Sequence, residues 1–231
     1  MKTRIAKFIA DSGVASRRAA EDLIANGHVL VNGEKIDTPV FFVDENDSVV
    51  VDGKKIETRG EIKLYAFHKP INTMTTRADP MGRKTIYDVL PAEYKNLKYI
   101  GRLDYKTTGL LLLTNDGELA RKMTLPASNI SRTYIATVYG DLSKLDLARR
   151  GITVDGIKYK PMKIDVMDEH NLRVTVTEGK KNEIRIVLRA IGAPVKKLHR
   201  ISFGKIELGD LPVGKIRLIH QKTIDLILKS F

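Results

Sequence analysis

Apolar residues at helical spacing characterise the beginning of the chain. They recur on one helical face between Arg4 and Asp11, and Gly13 then indicates the end of a first helix. A second helix is predicted to begin after Ser16, a residue suited to capping a helix N-terminus, and to end at Gly27. The chain therefore opens with two short amphipathic helices.

Short strands are predicted to follow these helices. Residues 28–31 and 48–51 have the composition and length of strands, and each is followed by a dipeptide typical of tight turns, Asn32-Gly33 and Asp52-Gly53. Residues 52–62 are polar and contain glycines, a composition that predicts a linker.

Strands dominate the rest of the chain. The predicted strands are residues 64–68, 99–103, 110–114, 133–138, 163–167 and 172–176. The predicted helices are residues 116–123, 142–150 and 182–191. Because strands are long and helices few, we expect an α+β fold with a mixed, largely antiparallel sheet. This second domain would comprise residues 59–231 and follow a small α/β domain of residues 1–58.

Positive charge is concentrated in the larger, later part of the chain. The net charge is +12, yet residues 1–58 carry 8 basic and 10 acidic side chains, and residues 59–231 carry 32 basic and 18 acidic ones. An excess of this kind favours a polyanionic partner, since neutralised phosphates release their counterions. A basic surface that only maintains solubility is the alternative.

The motifs of most cofactor and metal enzymes are absent from the sequence. There is no Cys, and the five His residues do not stand at metal-ligand spacing. Neither a glycine-rich phosphate loop nor a Gly-x-Ser-x-Gly nucleophile motif occurs. The longest aliphatic run, residues 110–113, is far shorter than the ~18 residues of a membrane span. We therefore expect a cytoplasmic protein that needs no metal or cofactor and does not bind membranes.

Residues 2–50 resemble the S4 RNA-binding domain. The likeness lies in residues 4–10, 13–18 and 24–33, which include the two helices and the first turn. It implies that Arg17 and Arg18 contact RNA. Without the resemblance, an equally good interpretation is that nearby acidic residues of the same helix compensate these two cations.

A second resemblance lies in residues 101–120, Gly-Arg-Leu-Asp-Tyr-Lys-Thr-Thr-Gly-Leu-Leu-Leu-Leu-Thr-Asn-Asp-Gly-Glu-Leu-Ala. An isolated Asp such as Asp104 would normally only form a turn. This segment, however, closely resembles the central motif of pseudouridine synthases of the ribosomal small-subunit synthase A family. The resemblance implies that Asp104 is the catalytic carboxylate and that Arg102 fills the space left by a flipped nucleotide.

Two further segments resemble motifs of the same family. Residues 131–140 are similar to its Lys-x-Tyr strand, which implies an active-site role for Tyr134. Residues 178–188, followed by Leu198-His-Arg200, are similar to its third motif, and this likeness implies that Arg185 lies beside Asp104. A Tyr in a strand is otherwise usually a core residue, and Arg185 with Arg189 would otherwise form a solvated stripe.

The first motif is similar to residues 68–91 and is closest to that of the large-subunit synthase B branch. Three positions depart from the family pattern: Asn72 replaces a usual Gly, Glu183 a usual Gln, and Ile186 a usual Arg. Because Asp104 and its two implied partners are retained, these departures bear on target choice more than on activity.

The resemblance implies that uracil is detached from C1′ of a uridine in RNA, turned, and rejoined through C5. Tyr134 would stack on the flipped base and manage the C5 proton, and Arg185 would keep Asp104 ionised in a partly buried site. The sequence leaves open whether Asp104 attacks C1′, attacks C6 or abstracts a proton. The predicted RNA-binding residues are Arg102, Arg17, Arg18, Lys69, Arg189, Lys196, Lys197 and Arg200.

The favoured prediction is a monomeric, site-specific pseudouridine synthase for ribosomal RNA or an assembling ribosomal particle. Large-subunit (23S) RNA is a better candidate than small-subunit (16S) RNA because of the first motif. The alternatives are a non-catalytic RNA-binding factor in ribosome assembly and an enzyme acting on tRNA. Retention of the Asp, Tyr and Arg trio argues against the first alternative, and the S4-like beginning argues against the second.

Overall fold

The computed structural model describes residues 2–56 and 61–229, which divide into two units. The first unit is Met1–Lys63 with Asn115–Gly117, and the second is Leu64–Thr114 with Glu118–Phe231. The predicted boundary between residues 58 and 59 lies outside the described residues. Within the described ranges, no helix has the length and apolarity needed to span a bilayer.

The first unit packs two helices with short strands around one apolar core. Its helices are α1 (Ile5–Asp11) and α2 (Arg17–Ala25), and its strands are β1 (Thr3–Arg4), β2 (Val29–Val31), β3 (Glu34–Lys35), β4 (Phe42–Val43), β5 (Val49–Val51) and β6 (Lys54–Ile56). The strands pair in the order β3-β2-β5-β6, with β1 pairing separately with β4. Apolar residues of both helices and of β2 and β5 form the buried core, as their spacing predicts.

The helix ends follow the sequence signals. The Ser16 hydroxyl oxygen accepts a hydrogen bond of 3.2 Å from the backbone N–H of Ala19, so the predicted N-cap is formed. The linker prediction is wrong for Lys54–Ile56, which forms β6 and pairs with β5. The pairing is possible because Asp52 and Gly53 both adopt positive φ, which gives a tight hairpin turn, and Ile56 becomes buried. Residues 57–60 of the predicted linker lie outside the described residues.

The second unit is built on one large sheet. The strands of the unit are β7 (Leu64–Lys69), β8 (Lys98–Ile100), β9 (Thr107–Thr114), β10 (Arg132–Val138), β11 (Ile152–Val154), β12 (Ile157–Tyr159), β13 (Lys163–Val166), β14 (Asn171–Val176), β15 (Val195–Phe203), β16 (Ile206–Glu207) and β17 (Ile216–Leu218). Strands β11 and β12 pair with each other in a separate two-stranded sheet. The helices of the unit are α3 (Gly117–Thr124), α4 (Leu145–Arg150), α5 (Glu183–Ala190) and α6 (Gln221–Leu228). Short 3-10 turns lie at Ile86–Asp88, Ala92–Tyr94 and Pro126–Ser128.

The sheet is mixed and largely antiparallel, which confirms the prediction. Its strands run in the order β13-β14-β10-β15-β9-β7-β17, and β8 and β16 pair at the ends of β9 and β15. The pairing of β15 with β9 is parallel, and the other pairs of this sheet among the described residues are antiparallel. The four leucines of β9 are fully buried because this strand lies in the interior of the sheet. Strand β15 has no counterpart in the sequence prediction.

Close contact between β9 and β15 depends on Gly109. This residue has φ +103° and lies opposite Arg200 in the parallel register. A side-chain Cβ at position 109 would collide with the backbone oxygen of Arg200. Glycine is therefore required here both for the backbone conformation and for the approach of the two strands.

Candidate active site

Asp104 lies in the short extended segment between β8 and β9 and is exposed. Its backbone carbonyl oxygen accepts a hydrogen bond of 3.0 Å from the N–H of Thr107, the first residue of β9. The segment therefore forms a turn that begins a buried strand, and the Asp104 carboxylate is presented at the end of the sheet. Strand ends are where clefts most often present reactive side chains.

The Lys69 side chain holds this turn in place through hydrogen bonds. Its ammonium donates hydrogen bonds to the backbone oxygens of Pro70 (3.1 Å), Asp104 (3.3 Å) and Thr107 (2.9 Å). The side chain is 0 % exposed. Burial lowers the pKa of Lys69 to about 8, with Asp104 opposing and Arg200 reinforcing the change. The prediction that Lys69 contacts RNA is therefore wrong: the ammonium is enclosed by carbonyl groups and positions the Asp104 turn.

The segment after Lys69 provides further support for the turn. The Thr75 hydroxyl donates to the backbone oxygen of Leu103 (2.8 Å) and accepts from its N–H (3.3 Å), and the Asn72 N–H donates to the oxygen of Tyr105 (2.9 Å). Asn72 has φ +57°. Because Asn tolerates this left-handed conformation better than most residues do, it can occupy a position where the family usually has Gly.

Tyr134 and Arg200 are opposite each other on neighbouring strands β10 and β15. Tyr134 is 9 % exposed, and the Arg200 guanidinium lies 6.0 Å from the centre of its ring. Arg200 is 1 % exposed and donates a hydrogen bond of 2.6 Å to the backbone oxygen of Leu110. At this depth Arg200 does not contact RNA at the protein surface, and the prediction that it binds RNA applies only to a nucleotide inside the cleft that it lines.

Asp104, Tyr134 and Arg200 line one cleft of about 250 Å³. A water molecule takes up ~30 Å³ of liquid, so this cleft has room for a group much larger than water. Its walls come from the segment before β9, from β10 and β15, and from the loop leading into α5. The lining residues used below are Arg102, Asp104, Arg132, Tyr134, Lys180, Lys181, Glu183 and Arg200. The structure thus brings Asp104 together with the Tyr that the sequence predicted as its partner.

Arg185 on α5 does not line the cleft but contacts the turn that follows Asp104. Its guanidinium donates to the backbone oxygens of Val195 (3.0 Å) and Lys106 (3.1 Å), two residues after Asp104. Burial lowers the pKa of Arg185, and the charge of Asp104 acts in the opposite direction. Within the described part of the chain, Arg185 makes no ion pair with Asp104 at 4.0 Å or less. It therefore lies close to Asp104, but it is held by backbone carbonyls.

The helix that carries Arg185 follows a residue in the left-handed conformation. Asn182 precedes α5 with φ +55°, and its side chain makes no capping hydrogen bond. The left-handed conformation instead turns the chain so that Glu183, the first residue of the helix, points inward and is buried. The helix begins within one residue of the predicted start at residue 182.

Two charged residues of the cleft were not assigned a role from the sequence. Arg132, on β10, donates to the backbone oxygens of Thr177 (3.1 Å) and Glu178 (3.0 Å) and so holds the loop before α5. Burial lowers its pKa. Glu183 is 7 % exposed, and burial raises its pKa to about 7. Both lie within the segments that resemble the family, but nothing in their spacing indicates burial.

The remaining predicted RNA-binding residues are exposed. Arg102 lies at the cleft beside Asp104, whereas Arg189, Lys196 and Lys197 are on α5 and β15 outside its lining. Arg17 and Arg18 belong to the first unit, where they are exposed in the first turn of α2. No group of three His, Asp or Glu side chains suited to a metal ion occurs in residues 2–56 and 61–229.

Comparisons with known proteins identify the family and the fold. Residues 63–190 match the family model for RNA pseudouridylate synthase, and residues 3–49 match that for the S4 domain. A protein named RNA pseudouridine synthase from Aquifex aeolicus is 38% identical, with 100% of this chain and 95% of the relative covered. The ribosomal large subunit pseudouridine synthase B of Bacillus subtilis is 37% identical, with 93% and 91% covered. A crystal structure of pseudouridylate synthase superimposes with a TM-score of 0.70 at 27% identity, covering 97% of this chain and 99% of that one.

An S4 domain preceding a catalytic unit with this sheet defines the class, an enzyme that modifies bases in RNA. The chain belongs to the RNA pseudouridylate synthase family. It is an RNA pseudouridine synthase, an isomerase, with an N-terminal S4 domain and a likeness to the large-subunit synthase B branch. The family and fold predicted from the sequence are confirmed.

Proposed function

We propose that this protein isomerises a specific uridine to pseudouridine in large-subunit ribosomal RNA, in the cytoplasm and as a monomer, with Asp104 as the catalytic carboxylate. The observation that carries the proposal is the cleft that joins Asp104 to Tyr134 between the β9 turn, β10 and β15. The choice of RNA rests on the likeness to the large-subunit synthase B of Bacillus subtilis.

The target uridine must leave its stacked position before it can enter the cleft. Flipping a base out costs a few kcal/mol, which contacts made to the opened RNA have to offset. Arg102 is exposed beside Asp104 and would occupy the vacated space. Inside the cleft, the ring of Tyr134 offers a buried face on which the uracil stacks.

Asp104 then acts on the flipped nucleotide. Its backbone is fixed by Lys69 and Thr107, and the Arg185 guanidinium nearby keeps the environment of the carboxylate positive. Hydrolytic glycosidases usually employ two carboxylates, one as a general acid and one to activate water or the sugar. In this reaction the departing uracil is recaptured through C5, so a single ionised carboxylate is sufficient. Tyr134 would receive or relay the proton released from C5.

RNA beyond the flipped nucleotide is bound by exposed cations. We assign this role to Arg17 and Arg18 in an S4 domain of residues 1–58, and to Arg189, Lys196 and Lys197 in the catalytic domain of residues 59–231. All five are exposed, as phosphate contacts require. Binding of this kind weakens steeply with salt.

The target can be tested with tritium release. Wild-type protein is incubated with large- and small-subunit rRNA transcripts labelled with tritium at uridine C5, and in parallel with partly assembled particles of each subunit. We expect release into water from the large-subunit substrates alone, at no more than a few sites per molecule. Transcripts labelled at uridine C6 are the control and should release nothing.

Release from the small-subunit substrates alone would contradict the assignment of the RNA while leaving the enzyme intact. Tight binding to all four substrates without release from any would contradict the catalytic role and favour an assembly factor.

A further inference from the structure

Glu183 is a buried acidic residue in a cleft whose charged lining residues are mostly cationic. It is the first residue of α5 and lines the same cleft as Asp104 and Tyr134. In the described part of the chain its carboxylate makes no ion pair at 4.0 Å or less, although it is only 7 % exposed. A buried carboxyl group without a strong cationic partner is costly when it is charged, so its position calls for a functional explanation.

The surroundings favour the neutral form of this carboxyl group. Burial is the largest influence on its pKa, and the charge of Glu178 acts in the same direction. A backbone hydrogen bond at Lys180 and the charges of Arg132 and Lys180 oppose them, and the result is a pKa of about 7. The ionisable groups that line the cleft with Glu183 are Arg102 and Asp104 from the segment before β9, Arg132 and Tyr134 from β10, Lys180 and Lys181 from the loop before α5, and Arg200 from β15.

We propose that Glu183 binds the flipped uracil through a neutral carboxyl group, which donates a hydrogen bond to a uracil carbonyl oxygen and accepts one from the adjacent N3–H. No covalent bond is made and no proton is transferred in this contact. The inference rests on the proposed role of the cleft as the site of isomerisation. It makes Glu183 the group that recognises the edge of the base, while Tyr134 recognises its face.

The Glu183 carboxyl group and the imide edge of uracil are complementary only when the carboxyl group is protonated. A protonated carboxyl group has one O–H donor and one carbonyl acceptor side by side, and the imide edge of uracil has an acceptor beside a donor. An ionised carboxylate has acceptors alone, so one of its oxygens would face a uracil oxygen without a proton between them. Glutamine has the same donor and acceptor arrangement as the neutral acid, and it keeps that arrangement at every pH.

The direction of the pH effect follows from the raised pKa. The competent neutral form predominates below pH 7 and is lost as the pH rises. With a pKa of about 7, roughly nine-tenths of the group is neutral at pH 6 and roughly 3% at pH 8.5. Wild-type activity should therefore fall about 30-fold between these pH values relative to E183Q, in which the group at position 183 does not titrate.

The test measures kcat/KM for tritium release from the C5-labelled large-subunit transcript between pH 6 and pH 8.5. Wild type is compared with E183Q, with E183A and with E207Q, a control that removes an exposed carboxylate on β16. We expect E183Q to equal wild type at pH 6 and to exceed it about 30-fold at pH 8.5. E183A should be at least tenfold lower at pH 6, mainly through KM, and E207Q should follow wild type throughout.

Parallel pH profiles for wild type and E183Q, or full activity of E183A, would overturn the proposal. Thermal unfolding shows whether each variant folds. If E183Q does not fold, a carbon-13 titration of the Glu183 carboxyl in wild-type protein decides, and a midpoint below pH 5 overturns the proposal. The D104N variant separates this inference from the function on which it rests. If D104N is active, the proposed role of the cleft is contradicted. If D104N is inactive and the pH profiles of wild type and E183Q are parallel, only the role of Glu183 is contradicted.

Discussion

The ammonium of Lys69 donates a hydrogen bond of 3.3 Å to the backbone oxygen of Asp104, across 35 residues of sequence. Two further carbonyl oxygens, those of Pro70 and Thr107, complete its surroundings. The Asp104 carboxylate is thus held in place through its main chain by a buried cation on β7. Its side chain stays exposed at the cleft.

Removal of this cation should disable the site without affecting RNA binding. K69M keeps the length and apolar stem of the side chain but removes one donor from each of three carbonyl groups, of which that of Pro70 also accepts from the Thr73 hydroxyl (2.9 Å). We expect a loss of about 2–4 kcal/mol in the free energy of unfolding and a large decrease in kcat. Affinity for RNA should change less than threefold, because Lys69 is not at the surface.

Denaturant unfolding, single-turnover rates and filter binding measure the three quantities. K205M, at an exposed lysine in the turn between β15 and β16, is the control and should behave as wild type. If K69M bound RNA much more weakly while retaining its rate, Lys69 would be an RNA contact after all.

Strands β9 and β15 lie too close together to accept a side chain at position 109. In G109A the new Cβ would collide with the backbone of Arg200, and the residue would also keep a strained positive φ. We expect a destabilisation of more than about 2 kcal/mol together with a loss of activity, because residues of both strands line the cleft. G156A provides the comparison.

Gly156 also has a positive φ, but nothing lies within 4 Å of a Cβ there. G156A should therefore lose only about 1 kcal/mol from backbone strain and keep its activity. Thermal or denaturant unfolding of G109A and G156A provides the measurement. Equal losses of stability would show that the collision with β15 adds nothing to the cost of G109A.

Arg18 should contribute to RNA affinity rather than to catalysis. It is exposed in the first turn of α2, where a cation opposes the helix dipole unless an anion is nearby. We expect R18A to weaken binding about three- to tenfold and to reduce the slope of log K against log salt by about one. The rate at saturating RNA should not change.

Binding isotherms at several salt concentrations provide the measurement. K222A on α6 removes another exposed cation and serves as the control, with an unchanged salt slope expected. An unaltered slope in R18A would mean that this arginine meets no phosphate.

Local patterns predicted much of the fold. The apolar face of α2, the Ser16 cap and the leucines of β9 are each encoded within a few residues, so their conformations follow from spacing alone. Strand β15 was not predicted because Lys196, Lys197 and Arg200 give the segment a polar composition that is typical of a loop. Its parallel pairing with β9 joins segments about 90 residues apart, and single-sequence periodicity does not report such contacts.

The sequence predicted the residue types of the site, but it did not predict which residues are buried or what surrounds them. The motif around Asp104 pointed to its position, and the structure places Tyr134 in the same cleft. Lys69 was predicted to contact RNA, whereas carbonyl groups remote in sequence enclose its ammonium. The burial of Glu183 depends on the left-handed conformation of Asn182, for which residue identity gives only a weak signal.

The most direct test of the account is the rate of tritium release by D104N under single-turnover conditions, with RNA binding measured on the same preparation. D210N, at an exposed aspartate in the loop after β16, is the control. We predict that D104N releases tritium at least about 1000-fold more slowly than wild type while binding the large-subunit transcript within threefold, and that D210N matches wild type. Release by D104N at the wild-type rate would contradict the assignment of Asp104 as the catalytic group.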